Sequence, residues 1–87
     1  MVVKTVIVIN KKGIHARPSK DIVVKASEFQ SQIVIKRKDG PEIPANSILS
    51  VLIAGFVFGE KLFIVADGPD EEEASCAIKN ILEATLY

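Results

Sequence analysis

The chain has too few cysteine and histidine residues for the disulfides and zinc sites that stabilise many small domains. Its 87 residues include one cysteine, Cys76, and one histidine, His15. A single cysteine excludes an internal disulfide, and one cysteine with one histidine is too small a set of ligands for a zinc site. We therefore expect one domain, residues 1–87, held together by its hydrophobic core without a metal or cofactor.

Excess charge of one sign and long apolar runs are also missing. The 11 basic and 11 acidic residues give a formal net charge of +0, which argues against a nucleic-acid binder because such proteins neutralise phosphates with an excess of cations. The apolar run over residues 2–9 is too short to span a membrane, and no signal-like cleavage region follows it. These absences favour a cytoplasmic protein that enters no membrane.

Strand and helix patterns alternate along the chain. β-Branched residues predict a strand over 2–9, and apolar residues at helical spacing predict a helix over 16–28. Pro41 and Pro44 cannot donate to a ladder, so the short strand that contains them belongs at a sheet edge. The other predicted elements are a strand over 32–38, a helix from Asn46 or Ser47 to Ile53, a strand over 61–67 and a helix after Asp70.

Local signals mark a turn and a helix start. Asp39-Gly40 is typical of a hairpin turn because both positions accept positive φ. Asp70 is predicted to cap the last helix, with Glu73 reaching back to complete a capping box. The acidic run that begins at Glu71 suits the positive end of the helix dipole, so we interpret it as a helix start and not as an acidic binding site.

The string Gly13-Ile14-His15-Ala16-Arg17-Pro18-Ser19 constrains function most tightly. Proline is favoured in the first helical turn, where its missing N–H costs nothing, so His15 is predicted at or just before a helix N-terminus. Such an end attracts anions, and the guanidinium of Arg17 suits phosphate oxygens. A neutral imidazole offers a ring nitrogen as nucleophile. The pattern favours a transient phosphohistidine over a capping or surface histidine.

The same string resembles the Gly-x-His-x-Arg-Pro signature of HPr, the histidine-containing phosphocarrier family of the bacterial sugar phosphotransferase system. The match to the signature is complete, and the resemblance covers nearly the whole chain in length and order of elements. Residues 46–52 resemble the family's second-helix segment. The resemblance implies an α+β, open-faced two-layer sandwich, βαββαβα, with a four-stranded antiparallel sheet of order 1-4-2-3 and three helices on one face.

The resemblance also implies a function. His15 would accept a phosphoryl group from phospho-enzyme I and pass it to a sugar-permease component, which makes the chain a carrier and not an enzyme. Arg17 would stabilise the phosphate, with Ala16, Arg17 and Pro18 framing the phosphate site. Lys12 stands where the family often has a small polar residue, and it either adds a cation or points into solvent. The alternatives are a nitrogen-branch carrier and a purely regulatory module that acts by docking, although relatives of that last kind lack the histidine.

In the family, the first two helices form the docking face for enzyme I and the permease components. The matching residues here are Lys20, Val24, Ile48, Leu49 and Leu52. Core packing stays open as the alternative for Leu49 and Leu52. Ser47 aligns with the serine that an HPr serine kinase phosphorylates, and a simple N-cap serine is its alternative. Asn46 and Ser50 depart from the basic residue and the glycine that often flank this serine in the family.

Strand alternation divides the sheet residues between two faces. The residues expected toward the helices are Val6, Val8, Ile33, Ile35, Leu62 and Ile64. The opposite face then holds Thr5, Ile7, Ile9, Val34, Lys36, Phe63 and Val65. A solvated sheet face is normally polar, so this apolar face predicts weak self-association or docking of another domain. The alternative is that lysine stems lie across the patch and keep it soluble.

Overall fold

The predicted order of elements is present in the structure, a computed structural model that describes residues 1–84. The elements are β1 (Val2–Ile7), α1 (Ala16–Ala26), β2 (Gln32–Lys36), β3 (Ile43–Pro44), α2 (Ile48–Ala54), β4 (Lys61–Asp67) and α3 (Glu71–Leu82). All strand pairs are antiparallel, and the sheet order is β1-β4-β2-β3. The expected open-faced α+β sandwich is therefore confirmed. No helix within residues 1–84 is long and apolar enough to cross a membrane.

Two elements end earlier than their patterns predict. β1 stops before Val8 although the N–H of Val8 still donates to the carbonyl of Glu60 at 3.0 Å, because the N–H of Glu60 donates to the carbonyl of Val57 at 3.1 Å and not back to Val8. α1 stops before Ser27, whose hydroxyl donates to the carbonyl of Val24 at 2.6 Å. In both cases a hydrogen bond inside a turn, from Glu60 to Val57 or from Ser27 to Val24, takes the place of the next bond of the regular element.

The connection from β2 to β3 differs from the predicted hairpin turn. The register pairs Ile35 with Ile43, and a loop over 37–42 joins the two strands. Neither Asp39 nor Gly40 has positive φ. β2 ends at Lys36, two residues early, because Arg37 leaves the ladder to bind other elements. The expectation that the proline-containing strand lies at the sheet edge is confirmed by the sheet order.

The core lies between the sheet and the helices. All six residues expected to face the helices are at most 6% exposed. Ala74, Ile78 and Leu82 of α3 pack against them, and Phe56 from the loop after α2 is also buried. Full burial of a large apolar side chain contributes about 1.5–3 kcal/mol to stability, so this single layer of contacts is the main support of the fold.

The start of α3 corrects the predicted capping box. Asp70 occupies the N-cap position, but its side chain makes no capping hydrogen bond. Its carboxylate accepts the hydroxyl of Ser31 and the N–H groups of Gln30 and Ser31, each amide at 2.9 Å, and these bonds hold the pKa of Asp70 below its ordinary range. Glu71, and not Glu73, reaches back, accepting the N–H of Gly68 at 3.1 Å. Asp70 thus joins α3 to the segment before β2.

Candidate functional site

The loop before α1 is held by backbone hydrogen bonds that require glycine at position 13. Gly13 donates to the carbonyl of Asn10 at 2.9 Å, and the N–H of Lys12 donates to the Asn10 side-chain oxygen at 3.0 Å. Ile14 donates to the carbonyl of Phe56 at 2.9 Å. Gly13 has φ +72°, and a Cβ there would lie 2.7 Å from the Phe56 oxygen. Only glycine lets the loop lie this close to Phe56.

His15 lies at the N-cap position of α1, as the sequence predicts. Its backbone is extended, and its carbonyl accepts the N–H of Ser19 at 3.1 Å. Its side chain makes no capping hydrogen bond, and the first turn of the helix contains no acidic residue. The positive end of the helix dipole therefore acts on the imidazole without a neighbouring carboxylate in that turn to offset it.

The imidazole is held with one nitrogen inside the protein. His15 is half-buried, and its Nε2 atom is buried with no hydrogen-bond partner within residues 1–84. A buried nitrogen is out of reach of a docking protein. Any group that a partner transfers to this ring must therefore approach the other nitrogen, Nδ1.

The neighbours of His15 in the signature differ in exposure. Ala16 and Arg17 are exposed beside the helix start, and so are Lys12 and Lys20. Pro18 is buried and has no N–H, so its part in a phosphate site is to hold the start of the helix. The helix end and these three exposed cationic residues close in sequence to His15 are features that suit an anion.

The second helix exposes most of its apolar residues. Val51 is buried, whereas Ile48, Leu49 and Leu52 are 42%, 64% and 39% exposed. Core packing of Leu49 and Leu52 is thus not observed. Ser47 is the N-cap, and its hydroxyl accepts the N–H of Ser50 at 3.3 Å. We call the exposed apolar residues of α2 the α2 patch: Ile48, Leu49, Leu52 and Ile53.

Sequence reasoning missed part of this apolar surface. The missed residues are Ile53, Val57 and Phe58, which are 76%, 59% and 56% exposed, whereas Val24 on α1, a predicted docking residue, is 51% exposed. A helix of seven residues presents only one side to the core, and that geometry could have identified Ile53. Val57 adjoins the histidine loop, because its Cα would lie 3.2 Å from a Cβ at position 13.

A half-buried ion pair supports the loop behind the histidine. Arg37 bonds to the carboxylate of Glu60 and donates to the carbonyl of Ala54 at 2.8 Å, and its guanidinium lies 4.8 Å from the centre of the Phe56 ring. The N–H of Val57 donates to the same carboxylate at 3.0 Å. Burial alone would raise the pKa of Glu60, but the bonds from Arg37 and Val57 hold it below its ordinary value. Arg37 and Glu60 thereby fix the Phe56 carbonyl that binds Ile14.

These lowered pKa values predict loss of stability in acid. The contribution of Glu60 and Asp70 is complete above their ordinary values of 4.5 and 3.8 and is lost as the pH falls through their lower folded-state values. We expect the melting temperature to be lower at pH 3 than at pH 6. Thermal melts followed by circular dichroism measure this, and Glu60→Gln should melt lower at pH 6 and show a smaller decrease. Equal melting temperatures of the wild-type protein at both pH values would contradict the assignment.

Comparison with known proteins agrees with this geometry. A family model described as "PTS HPr component phosphorylation site" matches residues 2–84. The phosphocarrier protein HPr of Treponema pallidum is 43% identical over 83 residues, 95% of this chain and 93% of that protein. The phosphocarrier protein NPr of Escherichia coli is 34% identical over 75 residues, 86% of this chain and 83% of that protein. The crystal structure of HPr from Bacillus anthracis aligns with a TM-score of 0.87 at 33% identity, over 94% of this chain and 96% of that one.

Proposed function

The chain belongs to the HPr family of phosphocarrier proteins of the phosphotransferase system, and on that premise we propose that His15 carries the phosphoryl group. It accepts the group from phospho-enzyme I, which takes it from phosphoenolpyruvate, and passes it to a sugar-specific permease component in the cytoplasm. The observation that supports this most strongly is the position of His15, the only histidine, at the N-cap of a helix with no acidic residue in its first turn.

The acceptor atom in this proposal is Nδ1. The acceptor nitrogen must offer a lone pair, and the tautomer with its proton on Nε2 leaves that lone pair on Nδ1. That lone pair forms the bond to phosphorus as the bond between phosphorus and the donor protein breaks. The reverse pair of changes, with the next protein as acceptor, releases the group, so no co-reactant is consumed at this chain.

The residues around His15 stabilise the charged phosphohistidine. A phosphoryl group carries about −1.5 to −2 charges at neutral pH, and the helix start with the exposed Arg17 offsets part of that charge. In this proposal the backbone N–H groups of Ala16 and Arg17 face the phosphate, while Pro18 fixes the helix start. The group stays transferable because the cationic surroundings are exposed to an incoming partner.

A reconstituted transfer reaction tests the function. Enzyme I, phosphoenolpyruvate, a sugar-permease component and its sugar are combined with and without this chain. We expect sugar phosphate to form only when the chain is present. Equal formation without it, or no phosphorylation of the chain by enzyme I, would overturn the proposal.

The alternative role is that of a nitrogen-branch or purely regulatory module, and the 34% identity to NPr of Escherichia coli is the observation that favours it. The same reaction separates the alternatives when a nitrogen-branch acceptor protein replaces the permease component. Faster transfer to that acceptor would assign the chain to the nitrogen branch. Binding to a partner without any transfer would assign it a docking role alone.

Docking of enzyme I and the permease components is proposed to centre on the α2 patch, with Lys20 and Val24 beside it. Because truncated interface anchors commonly cost about 1–2 kcal/mol or more, Leu49→Asp should weaken enzyme I binding about tenfold or more. Isothermal titration calorimetry measures the affinity. Val3→Asp, a similarly exposed valine on β1, is the control and should bind normally. Unchanged affinity of a folded Leu49→Asp protein would count against this surface.

Ser47 is proposed as a regulatory site for an HPr serine kinase. A phosphate there would place a dianion beside the α2 patch, so Ser47→Asp should slow phosphoryl acceptance from enzyme I several-fold. Ser47→Ala is the matched control, since it loses the bond from Ser50 at a cost of about 1 kcal/mol in stability but adds no charge. Stopped-flow or quenched-flow rates decide the matter. If Ser47→Asp accepts as fast as Ser47→Ala, the serine is only an N-cap.

A further inference from the structure

The face of the sheet opposite the helices has rows of neighbouring apolar side chains. The register places Val3, Val65, Val34 and Pro44 side by side across all four strands. The next row contains Thr5, Phe63 and Lys36. Val3 is 57% exposed, while Val34, Phe63 and Val65 are half-buried. The helices leave this face uncovered within residues 1–84.

The outward residues of the central strand β4 have a distinct charge order. Strand alternation puts Lys61, Phe63, Val65 and Asp67 on this face, so an ammonium group, two apolar side chains and a carboxylate follow one another. Asp67 keeps a 63% exposed side chain although the N-terminal ammonium group lies 3.8 Å away. The order is self-complementary, because reversing the strand exchanges the positive end with the negative end.

We propose that this face binds a second copy of the chain in a weak, two-fold symmetric dimer with the strands of the two sheets reversed. A two-fold contact uses the same surface twice, so a pair formed by one residue is repeated on the other side of the axis. Lys61 then lies opposite Asp67 of the second copy, and Phe63 lies opposite Val65 of the second copy. Sheets pack face to face in this manner about 10 Å apart.

The lysine stem over the face does not prevent this contact. The Lys61 Nζ lies 5.7 Å from the centre of the Phe63 ring, so in the single copy it covers part of the apolar surface. Dimer formation exchanges that exposed cation–π contact for an ion pair of similar strength. The net gain therefore comes from the apolar rows, and the charges set the orientation of the two copies.

The size of the face makes the association weak. Four strands about 4.8 Å apart and rows about 6.8 Å apart give an area on the order of 400 Å² per copy. Stable interfaces bury about 800 Å² per partner, so the dissociation constant should be on the order of 0.1–1 mM. His15 begins α1 on the helical side of the molecule, so dimer and phosphoryl transfer do not compete.

Charge exchange tests the proposed orientation. Sedimentation equilibrium from about 10 μM to 1 mM measures the dissociation constant of the wild-type protein and of each variant. Lys61→Asp places like charges opposite each other and should weaken association about tenfold or more. The double variant Lys61→Asp with Asp67→Lys restores opposite charges and should return to within about threefold of the wild-type value. Lys38→Asp, an exposed lysine in the β2–β3 loop, is the matched control and should associate normally.

Three results would overturn the inference: a monomeric wild-type protein at about 1 mM, an unchanged constant for Lys61→Asp, or a double variant no tighter than Lys61→Asp. A monomer would leave the face to a different protein or to solvent. Acceptance of phosphoryl from enzyme I is measured on the same samples and should be unchanged in all of them. A failure of the wild-type protein to accept phosphoryl would count against the role of His15 and not against the dimer.

Discussion

Replacement of His15 by alanine is expected to abolish phosphorylation by enzyme I completely. The described chain has no second imidazole, and the replaced side chain holds the proposed acceptor atom. Stability should change by less than about 1 kcal/mol, because the His15 side chain makes no capping hydrogen bond. Intact-protein mass after incubation with enzyme I and phosphoenolpyruvate, together with a thermal melt, gives both results.

Arg17→Ala should slow phosphorylation by enzyme I without abolishing it. The acceptor remains, but the cation beside it is lost, so the rate of acceptance should fall about tenfold or more while some product still forms. Lys38→Ala removes an exposed cation of the β2–β3 loop, outside α1 and the loop before it, and should accept normally. Phosphorylation of the His15→Ala protein at the wild-type rate would place the acceptor on another residue, whatever the result for Arg17→Ala.

The second large effect is expected from Gly13→Ala. The new Cβ would lie 2.7 Å from the Phe56 oxygen at a φ of +72°. Because neither the backbone carbonyl nor the dihedral can adjust locally, we expect a loss of about 2–4 kcal/mol in the free energy of unfolding. The bond from Ile14 to Phe56 should also break, which moves His15 and slows acceptance. Denaturant unfolding and the enzyme I assay measure the two consequences.

Gly59→Ala separates strain from steric conflict. Gly59 also has positive φ, at +84°, but a Cβ there meets no atom within 4 Å. Its cost should be limited to the backbone term of about 1–2 kcal/mol, with normal phosphoryl acceptance. If Gly13→Ala unfolds at the same denaturant concentration as Gly59→Ala and accepts phosphoryl normally, the close approach to Phe56 does not position the histidine.

Local periodicity predicted the features that depend on interactions between residues close in sequence. The alternation of β1, β2 and β4 identified the buried face correctly, because side chains two residues apart in a strand share an environment. Pro18 located the start of α1 and hence the backbone position of His15, since proline is tolerated in the first turn. The sheet order came from the family resemblance and not from these patterns.

Long-range partners explain what the patterns could not show. Asp70 satisfies Ser31 from another segment, so the capping box that its sequence neighbours predict does not form. Arg37 is drawn out of β2 by Glu60, which is 23 residues away. The orientation of the imidazole, with Nε2 buried, likewise depends on tertiary packing, which the spacing of residues in the sequence does not reveal.

The most direct test of the account is to locate the phosphoryl group on the wild-type protein. The chain is phosphorylated with enzyme I and phosphoenolpyruvate, and nitrogen–phosphorus couplings are read by NMR at alkaline pH, followed by acidification. We predict one phosphoryl group on Nδ1 of His15 that is lost in acid. An acid-stable group, a group on another residue, or a group on Nε2 would contradict the account.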